Sequence, residues 1–227
     1  MASDMRNAKI AGASYLVSYL GLILGSMLLE PILGSTDYLT SAYPNALVIG
    51  IGVLLESLNG IAVISIAVML YTILKRYDMG LALGYLFFRA VEGLLSILGS
   101  TKALTLIDLS KQYIDQGSPA SPIFDVLGAI TLADRHWDME MLTVFFILGA
   151  LIFYFLLYRT EVVPKYISIW GMIAIFAIMV LNVFIYFSID IGFVAVVFAL
   201  PIIANEIFIA FWLIVKGVDS SNLPANS

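Results

Sequence analysis

The sequence predicts an all-α fold, a polytopic transmembrane helix bundle with about six spans and with both termini in the cytoplasm. Of the 227 residues, 62% are hydrophobic and only 12% are charged, whereas a soluble domain carries about 25% charged residues. Several apolar runs reach the ~20 residues that a helix needs to cross a hydrocarbon core. Lys and Arg are also concentrated in alternate connections, as the positive-inside rule requires of a multi-pass protein.

The composition excludes several classes of function. The chain has no cysteine, so it has no disulfide, no catalytic thiol and no cysteine metal site. Its formal net charge is −5, and no basic patch is present to meet phosphates, so we expect no nucleic acid partner. The first apolar run is longer than the core of a signal peptide, and we expect it to be a retained span.

A single transmembrane domain is expected over residues 1–217, with the lipid bilayer as its partner. Its predicted spans cover residues 10–29, 46–74, 79–107, 141–158, 166–189 and 191–215. Residues 111–140 are predicted to form an outer loop with a short interfacial segment, because the apolar piece at 123–132 is too short to cross a bilayer. Residues 218–227 are predicted to form a polar tail.

The distribution of basic residues sets the predicted orientation. One side of the predicted bundle has Arg6, Lys9, Lys75, Arg76, Arg159, Lys165 and Lys216. The other side has Lys111 and Arg135, with Lys102 near its edge. Because basic connections stay in the cytoplasm, the first side and both termini are predicted to be cytoplasmic.

Charged and amide side chains inside the spans are the best pointers to a function. A charge at the bilayer centre costs about 2.5–3.5 kcal/mol or more unless it is paired or solvated. Helical spacing places Arg89 and Glu92 on one face of the third span, and Glu56 and Asn59 on one face of the second. We predict a polar ligand-binding site inside the bundle, formed by Glu56, Asn59, Arg89, Glu92, Asn182 and Glu206.

The charges of this predicted site do not balance. Three acids face one basic residue, Arg89, so at least one acid is protonated, solvated, or available to a cation or proton. A purely structural role is the alternative, in which Arg89 is clamped to one acid and the asparagines join neighbouring helices.

No enzyme motif stands out in the sequence. His136 is the only histidine, and its neighbours Asp134, Trp137 and Asp138 favour an interface over a metal site. No metalloprotease, nucleophile-elbow or P-loop motif is present. The sequence therefore predicts no metal site and leaves cofactors and catalytic residues unknown.

Three functions are compatible with these observations. The preferred one is the binding or transport of a small molecule, ion or proton at the polar site. The second is an intramembrane enzyme that acts on a lipid or quinone. The third is a structural or signalling subunit. The pairs Gly21 with Gly25 and Gly80 with Gly84 have the spacing that permits close helix packing, and they are the predicted faces of a homo-oligomer.

Short motifs follow one another along nearly the whole chain. They are Lys9–Tyr15, Leu86–Glu92, His136-Trp137, Leu157–Arg159 with Pro164, Trp170-Gly171, and Pro201 through Asn205-Glu206 to Gly217. In these motifs the chain resembles the DUF4386 family, bacterial and archaeal membrane proteins named only for their unknown function. The resemblance implies a multi-span helical domain in the cell membrane, and it implies no activity, cofactor or catalytic residue.

Overall fold

The computed structural model describes residues 2–119, 122–189, 191–219 and 221, and the described part is helical with no strand. Its helices are α1 (Ala2–Leu33), α2 (Tyr38–Ser41), α3 (Ala46–Leu74), α4 (Met79–Asp115), α5 (Pro122–Thr160), α6 (Lys165–Tyr186) and α7 (Val194–Val215). All except the four-residue α2 are long and apolar enough to cross a membrane, which gives six candidate spans in this part of the chain. The predicted all-α fold with about six spans is confirmed, and the protein is an integral, multi-pass membrane protein.

Large apolar side chains lie exposed along the six long helices. Leu47 and Leu54 of α3, Phe87 of α4, Ile173 of α6 and Val215 of α7 each have more than half of their surface exposed. Soluble proteins rarely expose apolar surface on this scale. Because lipid tails solvate such side chains, their exposure agrees with spans that face the bilayer.

The described part of residues 111–140, which the sequence predicted as an outer loop with a short interfacial segment, is mostly helical. Helix α4 continues to Asp115, and α5 runs without interruption from Pro122 through the predicted interfacial segment to Thr160. Proline suits the first turn of a helix, where its missing N–H leaves no bond unmade. Polar residues that looked like loop residues have partners instead, because Asp134 pairs with Lys102 at 3.7 Å and Arg135 pairs with Glu56 at 2.8 Å.

Helix ends also differ from the predicted limits by several residues. Helix α1 extends to Leu33 through Pro31, while α6 ends at Tyr186 and α7 begins at Val194. Most of the predicted polar tail, namely residue 220 and residues 222–227, lies outside the described residues.

The described residues form two compact units. Unit 1 comprises the described parts of Met1–Leu16, Ala62–Glu92 and Thr143–Ser227, and unit 2 comprises Val17–Ile61 and the described part of Gly93–Leu142. Within unit 1, α6 packs against α7. Its buried core includes stacked rings of Tyr85 and Phe153, whose centroids are 5.1 Å apart.

Close helix contacts in unit 2 depend on glycines. A Cβ on Gly21 of α1 would lie 2.6 Å from the carbonyl oxygen of Leu55 on α3. A Cβ on Gly25 would lie 2.7 Å from Cγ of Glu56. Such glycines let helix backbones approach closely. Gly21 and Gly25 therefore allow α1 to pack closely against α3 within the same chain.

Candidate functional site

The six predicted site residues are all buried, but they belong to different units. Arg89, Glu92, Asn182 and Glu206 lie in unit 1, and Glu56 and Asn59 lie in unit 2. Each has 7% or less of its surface exposed. The two groups are therefore considered separately.

Arg89 and Glu92 form an ion pair on α4. Nη1 of Arg89 lies 2.9 Å from Oε2 of Glu92, as their i, i+3 spacing allows. Helix α5 holds the arginine in place, because a Cβ on Gly149 would lie 3.1 Å from Cδ of Arg89. The guanidinium also lies over the Phe146 ring, 5.3 Å from its centroid. A methyl group at position 149 would crowd the arginine stem, so the glycine lets this stem lie close against α5.

Glu206 of α7 adds a second carboxylate to this pair. It interacts electrostatically with both Arg89 and Glu92. Helix α7 contains Pro201 five residues earlier and continues without a break from Val194 to Val215. The structure thus brings together three of the predicted residues, Arg89, Glu92 and Glu206.

Three buried tyrosines complete this group, and sequence reasoning missed all of them. Tyr15, Tyr85 and Tyr154 are each 2% exposed or less. All three interact electrostatically with both Arg89 and Glu206. We call these six residues the acid–arginine centre: Arg89, Glu92, Glu206, Tyr15, Tyr85 and Tyr154. Tyrosine is common at membrane interfaces, so its presence in an apolar span gave no signal.

A chain of hydrogen bonds fixes one side of the acid–arginine centre. The Tyr154 hydroxyl donates to Oδ1 of Asn205 at 2.8 Å, and Nδ2 of Asn205 donates to the carbonyl of Ile167 at 3.0 Å. Helices α5, α6 and α7 are therefore joined beside Glu206. The ring of Tyr154 lies directly against Gly171 of α6.

Three buried polar atoms of the centre make no hydrogen bond of good geometry among the described residues, namely the hydroxyl of Tyr85, Nε of Arg89 and Oε2 of Glu92. The Tyr85 hydroxyl lies near that of Tyr15, and Oε2 of Glu92 is ion-paired with Nη1 of Arg89, so Nε of Arg89 is the clearest unmet donor. Nδ2 of Asn182 on α6 is also buried without a hydrogen-bond partner among the described residues. No described contact joins Asn182 to the centre. A buried polar group without a partner is destabilising by about 1–3 kcal/mol. Such groups therefore mark where a ligand, water or ion can add bonds.

Glu56 and Asn59 of α3 have their own partners in unit 2. Nη2 of Arg135 donates to both carboxylate oxygens of Glu56, at 2.8 and 2.9 Å. Asn59 accepts a hydrogen bond from Ser18 at 2.6 Å and donates to Ser96 at 3.1 Å. These side chains join α1, α3, α4 and α5.

The predicted balance of three acids against one arginine needs correction. Arg135 was assigned to an outer loop, yet it lies on α5 and neutralises Glu56. Only Glu92 and Glu206 remain to share Arg89. Within the acid–arginine centre, the acids therefore outnumber the arginine by one instead of two. Among the described residues, no group of three or more His, Asp and Glu side chains is placed to hold a metal.

A family model decides where this chain belongs. The model described as "Domain of unknown function (DUF4386)" matches residues 10–217, nearly the whole chain. The chain belongs to the DUF4386 family. No curated protein and no solved structure matches it. The resemblance noted from the short motifs is thus confirmed, and the matched DUF4386 region contains both the acid–arginine centre and the Glu56–Arg135 pair.

Proposed function

We propose that this DUF4386 protein binds and exchanges an ion at the acid–arginine centre, and that the ion is a proton. One observation carries the proposal. Two buried carboxylates, Glu92 and Glu206, share the positive charge of Arg89. Two carboxylates and one arginine have one more negative than positive charge, and a net charge in an apolar interior is very costly, so such a group neutralises itself by taking up a proton or a cation.

The surrounding hydroxyls favour the proton over a metal cation. Tyr15, Tyr85 and Tyr154 can each donate a hydrogen bond to a carboxylate or accept one from a carboxylic acid. A single proton can therefore move between Glu92 and Glu206, and the total charge of the centre is the same in both states. Hard metal cations prefer several anionic or carbonyl oxygens around one point, and phenols supply these poorly.

Arg89 connects protonation with the binding of a small anion. When Glu92 takes up the proton, its attraction for the guanidinium weakens, and Nε of Arg89 already has no hydrogen-bond partner among the described residues. A carboxylate or phosphate could then bind the arginine fork. In this scheme the proton and the anion are taken up together, as a proton-coupled carrier requires.

Infrared spectroscopy tests whether the centre contains a proton. In lipid nanodiscs, the wild type should show the C=O stretching band of a protonated carboxyl group at neutral pH, with a shift in D₂O. Glu92→Gln or Glu206→Gln should remove it. Glu161→Gln is the matched control, since Glu161 is exposed beside Lys165 and should leave the band unchanged.

Two outcomes of that measurement would contradict the proposal. One is the absence of a protonated carboxyl in the wild type. The other is a band that survives both Glu92→Gln and Glu206→Gln. In proteoliposomes, we further expect proton uptake driven by a potassium diffusion potential in the wild type and in the Glu161→Gln control, with a loss of at least ten-fold in the two centre variants.

We also propose that the protein lies in the cell membrane of a bacterium or archaeon with both termini in the cytoplasm. The loop-charge bias supports this orientation. The connection after α4 would then be outside, and the connection between α5 and α6 would be inside.

Cysteine labelling can test the orientation cleanly because the chain has no native cysteine. Ser118 and Glu161 are exposed and lie in these two connections. In intact cells, Ser118→Cys should react with a membrane-impermeant maleimide, whereas Glu161→Cys should react only after permeabilisation. The reverse pattern, or equal labelling of both, would refute the orientation.

A further inference from the structure

A cavity in unit 2 is separate from the acid–arginine centre. Its volume is about 470 Å³, within the range of about 300–1,000 Å³ that small-molecule sites occupy. Its polar lining consists of Glu30 and Ser26 of α1, Glu56 of α3, and Arg135 and His136 of α5. We call it the Glu30 cavity.

The inner wall of the Glu30 cavity is a fixed and neutral pair. Glu56 is 2% exposed and accepts both bonds from Nη2 of Arg135. Nη1 of Arg135 donates to the carbonyl of Gly99 at 3.0 Å. The guanidinium is thus bonded through both terminal nitrogens, and the carboxylate of Glu56 balances its positive charge.

Glu30 leaves the lining with one negative charge. Its carboxylate has no ion pair among the described residues, and it lies beside Gly34, where a Cβ would be 3.1 Å from Oε1. Ser26 carries no charge, and with His136 counted as neutral the formal charges of the lining come from Glu30, Glu56 and Arg135. With Glu56 and Arg135 cancelling, the cavity has a net charge of about −1 and favours a monovalent cation.

The remaining lining indicates which kind of cation fits. Leu22, Leu33, Leu132 and Met139 supply apolar walls, so an organic cation fits better than a hydrated metal ion. Quaternary ammonium groups are normally held by cages of aromatic rings, and His136 is the only ring in this lining. A primary ammonium has three N–H donors, which match the acceptors on Glu30, Ser26 and His136.

We propose that the Glu30 cavity binds a primary ammonium group carried on a short apolar chain. The ammonium is held by Glu30, and the apolar chain lies against the leucines. Either a free amine or the ethanolamine headgroup of a lipid could supply this chemistry. The site is independent of the proton site, since none of its lining residues belongs to unit 1.

Calorimetric titration with n-butylammonium chloride tests this site on the full chain in phosphatidylcholine nanodiscs. We expect saturable binding with one site per chain. n-Butyltrimethylammonium and n-butanol should each bind at least ten-fold more weakly, because the first cannot donate hydrogen bonds and the second has no charge. Glu30→Gln should weaken binding by about ten-fold or more, the usual effect of losing one charge-assisted bond.

Paired variants separate binding from folding. Leu132→Trp should fill the Glu30 cavity and abolish binding, whereas Leu127→Trp on the same helix lies outside the lining and should not. Glu161→Gln is the control for Glu30→Gln, because it makes the same substitution at an exposed position outside the cavity. Both variants should keep the helical circular dichroism spectrum of the wild type. Unchanged affinity in both Glu30→Gln and Leu132→Trp would overturn the proposal, as would an absence of saturable binding in the wild type.

Changing the lipid of the nanodisc shows whether the natural ammonium ligand is a lipid headgroup or a free amine. If phosphatidylethanolamine in the nanodisc lowers the apparent affinity for n-butylammonium at least five-fold, a lipid headgroup occupies the site. If it has no effect while the Glu30→Gln loss persists, the ligand is a free amine. Both results support the ammonium site. Neither depends on the infrared band of Glu92 and Glu206, so failure of one proposal leaves the other standing.

Discussion

Replacing Arg89 by methionine should destabilise the protein by about 3–5 kcal/mol, the usual result of removing one partner from a buried ion pair. Arg89 is 3% exposed, and it is paired with Glu92 while interacting with Glu206. The variant removes the positive charge that is paired with Glu92 and that interacts with Glu206 in an apolar interior. The loss should appear as a lower midpoint when the purified protein is unfolded by SDS titration from mixed micelles.

Two further variants show whether the loss comes from uncompensated charge. Arg159→Met makes the same substitution at an exposed position, where Nε donates to the Tyr77 hydroxyl. It should change the unfolding free energy by no more than about 0.5 kcal/mol. The double variant Arg89→Met with Glu92→Gln should recover most of the loss, because neutral side chains of similar size replace a buried pair at little cost. A double variant as unstable as Arg89→Met would show that the charges are not the cause.

Replacing Gly171 by alanine should cost at least about 3 kcal/mol, since overpacking and a broken hydrogen bond add together. The new methyl group would lie inside the ring of Tyr154. That ring is completely buried, and its hydroxyl is bonded to Asn205. The tyrosine can move only by breaking this bond, so thermal unfolding in detergent should begin at a clearly lower temperature.

Gly50→Ala is the matched control for this steric argument. Gly50 also lies inside a helix, but a Cβ there would meet nothing within 4 Å. Because alanine favours helix over glycine by about 0.8–1 kcal/mol, the control should be neutral or stabilising. A double variant of Gly171→Ala with Tyr154→Leu should lose less than the sum of the two single losses. Strict additivity would mean that the clash is not the source of the instability.

The spans could be predicted from the sequence because their length and apolar character are local properties. Each of the six long helices overlaps one predicted span. The polar half of α5 could not be predicted in the same way. Its charged residues, Asp134, Arg135 and Asp138, are typical of a loop when only the sequence is considered. The partner of Arg135 lies on α3, 79 residues earlier in the chain.

The candidate site was predicted in part, for a similar reason. Burial of Arg89, Glu92 and Glu206 followed from their position in apolar runs, and the structure brings these three together. Spacing along one helix cannot show which other helices it contacts. The assignment of Glu56 to a different unit and the three tyrosines around Arg89 were therefore not visible in the sequence.

The Glu56–Arg135 bond also bears on how the chain is made. During synthesis, α3 enters the membrane 79 residues before Arg135 has been translated. For that period Glu56 lacks its final counter-charge, and an unpaired acid of this kind in lipid costs about 2.5–3.5 kcal/mol. Until α5 is made, we therefore expect Glu56 to be protonated or solvated. Unit 2 reaches its final charge pairing only after α5 has been added to α3.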